Sequence, residues 1–330
     1  MSTRPRLTPA IAEVRTAARS ALPEPGDGSL VLVALSGGPD SLALAAATAF
    51  ESHRGGIRAG VIIVDHGLQE GSADVAARAA QQARGLGLDP VIVRRVEVGA
   101  AGGPEAAARD ARYAALAEAA AEVGANRVLL GHTLDDQAET VLLGLARGSG
   151  GGSLKGMPAS AGLFARPLLG IRRAITVQFC LDSGLEPWTD PHNDDDRFRR
   201  VRVRTTILPV LEGELGPGIV EALARTAAQF REDTDALDHF AEEQLEELAA
   251  HAEAGISLPV AALSTNPAAL RQRIIRMTVL SEFGVSLSRS QTLEVARLVT
   301  DWHGQEGIDL PGIKVERQGG LLIFSSTREA

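Results

Sequence analysis

Two short runs carry residues whose types and spacing could act on a nucleotide. The first, Leu30–Ser41 (LVLVALSGGPDS), sets an apolar strand directly before a loop of small residues and a helix start. Gly37 and Gly38 let the backbone approach an anion closely and adopt positive φ. Ser36 and Ser41 add hydroxyl donors, Pro39 fixes φ as the helix begins, and Asp40 brings a carboxylate to its first turn. The unpaired N–H groups of that turn favour a bound phosphate. This is not a Walker A loop, which needs Gly-Lys-Ser/Thr after its glycines, because no lysine occurs between Met1 and Gly152. The missing cation must come from a metal ion or from arginine. The second run, Gly131–Thr140 (GHTLDDQAET), crowds three carboxylates into one turn. In a helix Asp135 and Glu139 stand four apart, and Asp136 and Glu139 three apart, so like charges face one another unless a cation intervenes. A solvated capping region at a helix N-terminus is one account of the cluster. Beside the first loop, Mg²⁺ ligation accounts for it better, with Asp40 and Asp136 as ligands. Asp135 or Glu139 could serve instead, or could bind a substrate ammonium.

The elements that must position these residues are legible in the hydrophobic pattern. Strand-like runs at Leu30–Leu35, Gly60–Val64, Val91–Val96 and Arg127–Gly131 alternate with alanine-rich helical stretches at Ser41–Glu51, Ser72–Leu86 and Pro104–Val123. Strands nearly continuous in Val, Ile and Leu imply helices on both faces. The expected fold is therefore α/β, a doubly wound and mainly parallel sheet with ligands at the carboxyl ends of its strands. Both chemical runs fall there. A glycine-rich segment, Gly148–Met157, then reads by composition as a linker or a substrate loop. Further helical patterns at Arg173–Ser183, Gly218–Ala252, Pro267–Phe283 and Ser290–Thr300 follow, with a hairpin at Ile313–Arg317 and Leu321–Phe324. The expected division is a catalytic domain over 1–214 and a smaller, mostly helical domain over 215–330.

The balance of 33 basic and 42 acidic residues, a net charge of −9 with histidine neutral, argues against an unspecific nucleic-acid coat, so any RNA contact must be a local basic patch. Cys180 is the single cysteine, which excludes an intramolecular disulfide, a Cys-x-x-Cys redox pair and an all-cysteine metal cluster. No run approaches the roughly eighteen uninterrupted apolar residues of a membrane span. A cytoplasmic protein with no membrane partner is expected.

Together with VDHGL (Val64–Leu68), EAAARDARY (Glu105–Tyr113), RGSGGGSLKGM (Arg147–Met157), RPLL (Arg166–Leu169) and the stretch Trp188–Pro209, the two runs resemble the tRNA(Ile)-lysidine synthetases. These are members of the N-type ATP pyrophosphatase (PP-loop) superfamily, whose fold is adenine nucleotide alpha hydrolase-like. The resemblance covers most of residues 30 to 210. It implies an ATP- and Mg²⁺-dependent ligase acting on the wobble cytidine of a tRNA(Ile) with a CAU anticodon. ATP adenylates the C2 carbonyl oxygen and releases pyrophosphate; the ε-amino group of free L-lysine then attacks C2 and expels AMP, which changes codon reading from AUG to AUA.

The implied site follows residue by residue. Ser36, Gly37, Gly38, Pro39, Asp40, Ser41 and His66 hold the nucleotide; Asp40 and Asp136 hold the metal. Arg109 contacts phosphate or the adenylated intermediate, and His132 orders the adenylate, relays a proton or is simply satisfied by a backbone carbonyl. Asp135 and Glu139 recognise lysine. Arg147 and Lys155 beside the glycine-rich segment, with Arg200 and Arg204 in an arginine cluster, approach the tRNA. A homodimer is compatible with the pattern. His192, Val201, Gln69 and Thr133 depart from the usual family residues, and none of the four is a phosphate or metal group. A PP-loop thiolase fits poorly with one cysteine, and the tRNA-facing motifs argue against NAD or GMP synthetases. A catalytically dead nucleotide sensor is disfavoured by the intact Asp40, Asp136 and Glu139.

Overall fold

The computed structural model describes residues 7–24, 28–65, 67, 71–96, 104–148, 151–188, 195–252 and 255–327. The chain divides into two compact units, Met1–Ala228 and Gln229–Ala330. The expected boundary at 214/215 lies just ahead of the long helix Ile219–Leu248, and the compact units divide within that helix.

The first unit opens with α1 (Pro9–Ser20), whose cap Thr8 accepts a hydrogen bond from Ile11 N–H and is followed by Pro9 at the first helical position. Then come β1 (Leu30–Ala34), α2 (Pro39–Gly55), β2 (Arg58–Asp65), α3 (Ser72–Gly85), β3 (Val91–Arg95), α4 (Pro104–Val123), β4 (Ala125–Leu130) and α5 (Leu134–Ala146). A single turn α6 (Gly151–Leu154) and a small edge hairpin, β5 (Ser160–Ala161) and β6 (Phe164–Ala165), lead to α7 (Arg173–Asp182). The last helix of this region begins as α8 (Arg199–Arg202), passes through a π-helical turn at Val203–Ile207 and continues as α9 (Leu208–Leu215).

The sheet order is β3-β2-β1-β4-β6-β5. β1 pairs in parallel with β2 and with β4, β2 with β3, and β4 with β6; only β5 is antiparallel. Strand side chains alternate between faces, and both faces of β1 are covered. Leu30, Leu32 and Ala34 pack with Leu116, Ala119 and Ala120 of α4, whereas Val31 and Val33 join Leu42 and Leu44 of α2 and Ala79 and Ala83 of α3. This is the doubly wound, mainly parallel architecture expected from the strand composition. The chain winds outward from β1 through β2 to β3, then returns to place β4 on the other side of β1. The carboxyl ends of β1 and β4 therefore flank the switch point, where a crevice opens for a ligand.

In the second unit the remainder of α10 (Ile219–Leu248), α11 (Val260–Thr265), α12 (Ala268–Phe283) and α13 (Arg289–Thr300) account for most of the ordered length. The hairpin expected near Gln318–Gly320 is part of a larger antiparallel sheet, in the order β7 (Ala250–Ala252), β8 (Gly255–Pro259), β11 (Leu321–Ser326), β10 (Ile313–Gln318), β9 (Ile308–Leu310). Ile256, Leu258, Ile313, Val315, Leu322 and Phe324 form its buried face against Ile274, Ile275 and Val295. The helical pattern over Gly218–Ala252 ends early because Ala250–Ala252 pair with β8 and cover its otherwise open edge.

One close approach sets the spacing of β2 and the start of β3. A Cβ built on Gly60 would lie 2.4 Å from the Pro90 carbonyl oxygen and 2.7 Å from its nitrogen, both backbone atoms that cannot give way. Gly60→Ala is expected to destabilise the first unit by about 1–3 kcal/mol, the usual cost of overpacking a fitted site. A urea melt of the purified variant checks this, and an unchanged midpoint would show that β2 and β3 can separate freely.

Candidate active site

The loop after β1 is built by its small residues. Gly37 takes φ +86°, a left-handed conformation open to glycine, and its carbonyl accepts a hydrogen bond from Trp188 N–H at 2.9 Å. The buried Ser41 hydroxyl closes the turn: Ser36 N–H donates to it at 3.1 Å, the Ser36 hydroxyl lies 3.0 Å away, and it donates to the Gly38 carbonyl at 3.1 Å. Gly38 caps α2 without a side chain and Pro39 follows, so the first-turn N–H groups face the cleft uncapped. From the other side of the switch point Gly131 directly follows β4. Its missing side chain permits close packing, since a Cβ there would meet Ser41 Cα and N at 3.0 Å.

Between the two loops lies a cleft of about 350 Å³. Ser36, Gly38, Pro39, Asp40 and Ser41 line one side; His132, Asp136, Arg112, Arg173, Arg200 and Arg204 line the other. The acids of GHTLDDQAET are fixed individually. Thr133, fully buried, forms a capping box at the start of α5. Its N–H and hydroxyl donate to Asp136 Oδ2 at 2.8 and 2.9 Å. Asp136 Oδ1 accepts from Arg173 Nη2 at 2.8 Å. Asp40 accepts from the Thr176 hydroxyl and from Arg173 Nε at 3.2 Å. Glu139 has no solvent exposure and is held by three arginines: Arg173 Nη1 at 3.2 Å, Arg200 Nε at 2.8 Å, and Arg204 through Nε at 2.8 Å and Nη2 at 3.3 Å. Asp135 turns away, accepting from the Arg173 backbone N–H at 2.7 Å and facing Arg172 Nε at 3.3 Å.

These contacts set the protonation states. Burial and the neighbouring Asp136 push the Asp40 carboxyl up from its ordinary value, against Arg173 and Thr176. Burial also works to raise Asp136, but Arg173, the Thr133 N–H and Arg200 hold it below the usual carboxylate range. Arg173 stays above its ordinary value despite burial because Asp136, Asp40 and Glu139 surround it. His132 is pushed down to about 3 by burial and by Arg112, Arg166 and Arg200, which outweigh Asp136. It is therefore a neutral ring near pH 7 and not a cation, and its buried Nδ1 has no hydrogen-bond partner among the described residues.

Most of the expected nucleotide residues meet in this cleft, and some expected roles shift. His66 lies outside the described residues. Arg109 is exposed, its guanidinium 5.2 Å from the Tyr113 ring centroid, and does not line the cleft. One turn further along α4, Arg112 does, and it forms no hydrogen bond or ion pair among the described residues. Burial lowers its guanidinium from the ordinary value, so its charge lacks a close partner. A three-residue step along a helix brings both onto neighbouring positions, which is why EAAARDARY alone does not separate them. Arg200 and Arg204, expected at the tRNA, instead point inward to Glu139. Arg147 is exposed after α5, and Lys155 is half-buried beyond α6. Arg173 carries no motif signal beyond its place after RPLL and is the residue that sequence reading misses. The candidate metal ligands Asp40 and Asp136 converge on it. Among the described residues no group of three His, Cys, Asp or Glu side chains could hold a metal. The two carboxylates nevertheless suit a cation, since one guanidinium already lies against both.

The fold and the cleft define a PP-loop nucleotide-binding domain joined to a smaller unit. In agreement, residues 13–211 match the PP-loop domain family and residues 258–322 match the TilS substrate binding domain. The tRNA(Ile)-lysidine synthase of Leifsonia xyli subsp. xyli is 64% identical over 298 residues, 90% of each chain. That of Thermobifida fusca is 51% identical over 96% of this chain and 98% of its own. The chain belongs to the tRNA(Ile)-lysidine synthase family. Among solved structures, the U34-tRNA thiolase NcsA of Methanococcus maripaludis superposes with a TM-score of 0.56 at 19% identity, over 68% of this chain and 80% of that one, a likeness of fold.

Two outcomes test the site. Arg112→Ala is expected to weaken ATP binding by about tenfold or more, as for a lost charge-assisted contact, while Arg109→Ala stays near wild type; calorimetric titration with ATP compares them. For His132, the unfolded chain binds a proton below about pH 6.5 and the folded chain only near 3, so stability falls as pH drops through that window. The loss is expected to reach about 2 kcal/mol by about pH 5. His132→Asn should flatten that slope in urea melts.

Proposed function

We propose that the cleft binds ATP with its polyphosphate over the Ser36–Ser41 loop, and that the chain joins lysine to the wobble cytidine of a tRNA(Ile) with a CAU anticodon. The observation that carries the nucleotide half is Arg112, a cation without a close partner facing the uncapped start of α2. Four guanidiniums, Arg112, Arg173, Arg200 and Arg204, meet three carboxylates, Asp40, Asp136 and Glu139, so the cleft keeps positive charge for an anion. The tRNA half rests on the family membership and on the second unit's match to the substrate binding domain.

In this reading the C2 carbonyl oxygen of the cytidine attacks the α-phosphorus of ATP and pyrophosphate leaves. Backbone N–H groups of the α2 start, the Ser36 hydroxyl and Arg112 stabilise the charge that develops on the phosphate oxygens. The lysine ε-amino group, arriving unprotonated, then bonds to C2 as the C2–O bond to AMP breaks. Asp40 and Asp136 would hold Mg²⁺, which supplies charge neutralisation at the leaving pyrophosphate. For the lysine ammonium, Asp135 is the more exposed acid, and its carboxylate is shared with the Arg173 N–H and Arg172. Glu139 becomes available to it only as its arginines turn to phosphate. Neutral His132 orders the adenylate through a hydrogen bond. Arg147 and Lys155 sit at either end of the glycine-rich segment and would meet RNA phosphates. No helix of the described residues is long and apolar enough to cross a membrane.

The test is transfer of labelled lysine to unmodified isoleucine tRNA bearing CAU, beside a methionine tRNA with the same anticodon. Transfer to the isoleucine tRNA alone is expected. Asp40→Asn and Asp136→Asn should each lower it by about a hundredfold or more, with circular dichroism unchanged. Transfer to neither tRNA by folded, ATP-bound protein would defeat this reading.

A further inference from the structure

The guanidinium of Arg173 makes an unusual set of contacts. Each of its three nitrogens faces a different carboxylate: Nε to Asp40 Oδ2 at 3.2 Å, Nη2 to Asp136 Oδ1 at 2.8 Å and Nη1 to Glu139 Oε1 at 3.2 Å. The opposite oxygens are already engaged, Asp40 Oδ1 by the Thr176 hydroxyl and Asp136 Oδ2 by Thr133. The two oxygens left to converge, Asp40 Oδ2 and Asp136 Oδ1, therefore share a single cation that is part of the protein.

The three carboxylates do not depend on Arg173 equally. Glu139 keeps Arg200 and Arg204 if Arg173 leaves, whereas Asp40 has no other ion-pair partner among the described residues. Asp136 has only Arg204 besides, at 3.6 Å. Two like charges in a half-buried cleft cannot simply be left facing each other, so departure of the guanidinium requires another cation in its place. The chain is built to let the side chain go while the backbone stays. Arg173 is the first residue of α7, and its own N–H is pinned to Asp135 Oδ2 at 2.7 Å.

We propose that Arg173 is the resident counter-cation of the Asp40–Asp136 pair, and that a divalent cation entering with the nucleotide takes those two oxygens and releases the guanidinium to the polyphosphate. The exchange leaves each cation with a better partner. A hard divalent ion prefers carboxylate and phosphate oxygens. A guanidinium fork matches a phosphate in a two-bond contact. Arg173 is thus a positioning residue that keeps the acidic pair ordered before the nucleotide arrives. The inference rests on the ATP reading of this cleft.

The experiment is Mn²⁺ binding to the full chain without nucleotide, followed by electron paramagnetic resonance, for wild type, Arg173→Met and Arg173→Lys. With the competing charge removed, Arg173→Met is expected to bind Mn²⁺ about tenfold or more tightly than wild type. Arg173→Lys, whose single ammonium cannot span three carboxylates, should fall between them. Adding Asp136→Asn to Arg173→Met should return the affinity to the wild-type level or below. Equal or weaker Mn²⁺ binding by folded Arg173→Met overturns the proposal. Should that variant fail to fold, Arg173→Lys decides alone: tighter binding than wild type supports the exchange, and equal binding overturns it. A separate arm adds a non-hydrolysable ATP analogue to wild type. Failure to bind the metal–nucleotide pair there counts against the ATP reading, whereas normal binding with unmoved variants counts against Arg173 alone.

Discussion

The first unit's chemistry depends on one carboxylate that water never reaches. Glu139 lies in the second turn of α5, and its charge is held by guanidiniums from α7 and from the helix that begins at Arg199. An ion so buried is costly unless it is paired and fully hydrogen-bonded, and removing one partner from such a set is more damaging than the set is stabilising. The network therefore constrains geometry more than it adds stability. It forces α7 to begin beside Asp135 and forces Arg200 and Arg204 to the same side of their helix. The π turn over Val203–Ile207 lies where Arg204 must reach Glu139 with two nitrogens, a local change of period of the kind found at functional sites.

From that network follows the cleft's unequal treatment of its acids. Asp136 is kept charged by Arg173 and the Thr133 N–H, while Asp40 is drawn toward protonation by burial and by Asp136 itself. The structural use of Thr133 is plain. As the cap of α5 it fixes one oxygen of Asp136 and leaves the other facing the cleft. Cys180 illustrates the converse. Burial pushes its thiol up to about 12, and it lies 3.5 Å from the Pro39 carbonyl beneath the loop. A thiol so disfavoured as thiolate is a poor sulfur carrier. The structural likeness to a tRNA thiolase is thus one of scaffold, and the chemistry differs in the side chains grafted onto it.

The sheet, its helices and the two loops at the switch point were legible because each rests on local pattern. Continuous Val, Ile and Leu runs marked β1 to β4, and small residues marked the turns that follow them. What depends on distant partners was not legible. α1 is a short amphipathic piece tied to α2 through Arg15 and Arg19 on buried Glu51, a pairing across more than thirty positions. The five-stranded sheet of the second unit joins segments separated by three helices, α11 to α13, so only its central hairpin shows in sequence. In the site, acids were easier to place than bases. The acids cluster in one helical turn, but the arginines paired with them come from α7 and the helix from Arg199, and Arg112 reaches the same cleft from α4. Which arginine of EAAARDARY, or of the run Arg197–Arg204, turns inward is decided by helix phase against β4 and α5.

The glycine-rich segment makes the same point about composition. Its residues suggest a free linker, yet the described part is fitted to α5 by contacts that glycine alone permits. A Cβ on Gly144 would lie 2.4 Å from the Ser153 carbonyl oxygen of α6. At Gly156, φ is +58° and a Cβ would meet Gln137 Oε1 at 2.6 Å. That same Gln137 side chain clasps the backbone of Met157 with two hydrogen bonds, accepting from its N–H at 2.7 Å and donating to its carbonyl at 2.9 Å. Arg166 of RPLL then holds the Pro158 carbonyl at 3.0 Å and the Tyr113 hydroxyl of α4 at 3.0 Å. Gln137 and Glu139 belong to one turn of α5. The segment bearing Lys155 is consequently anchored to the helix that carries the acidic network, so the orientation of α5 fixes both where Asp136 meets the cleft and where the adjoining loop leaves the domain.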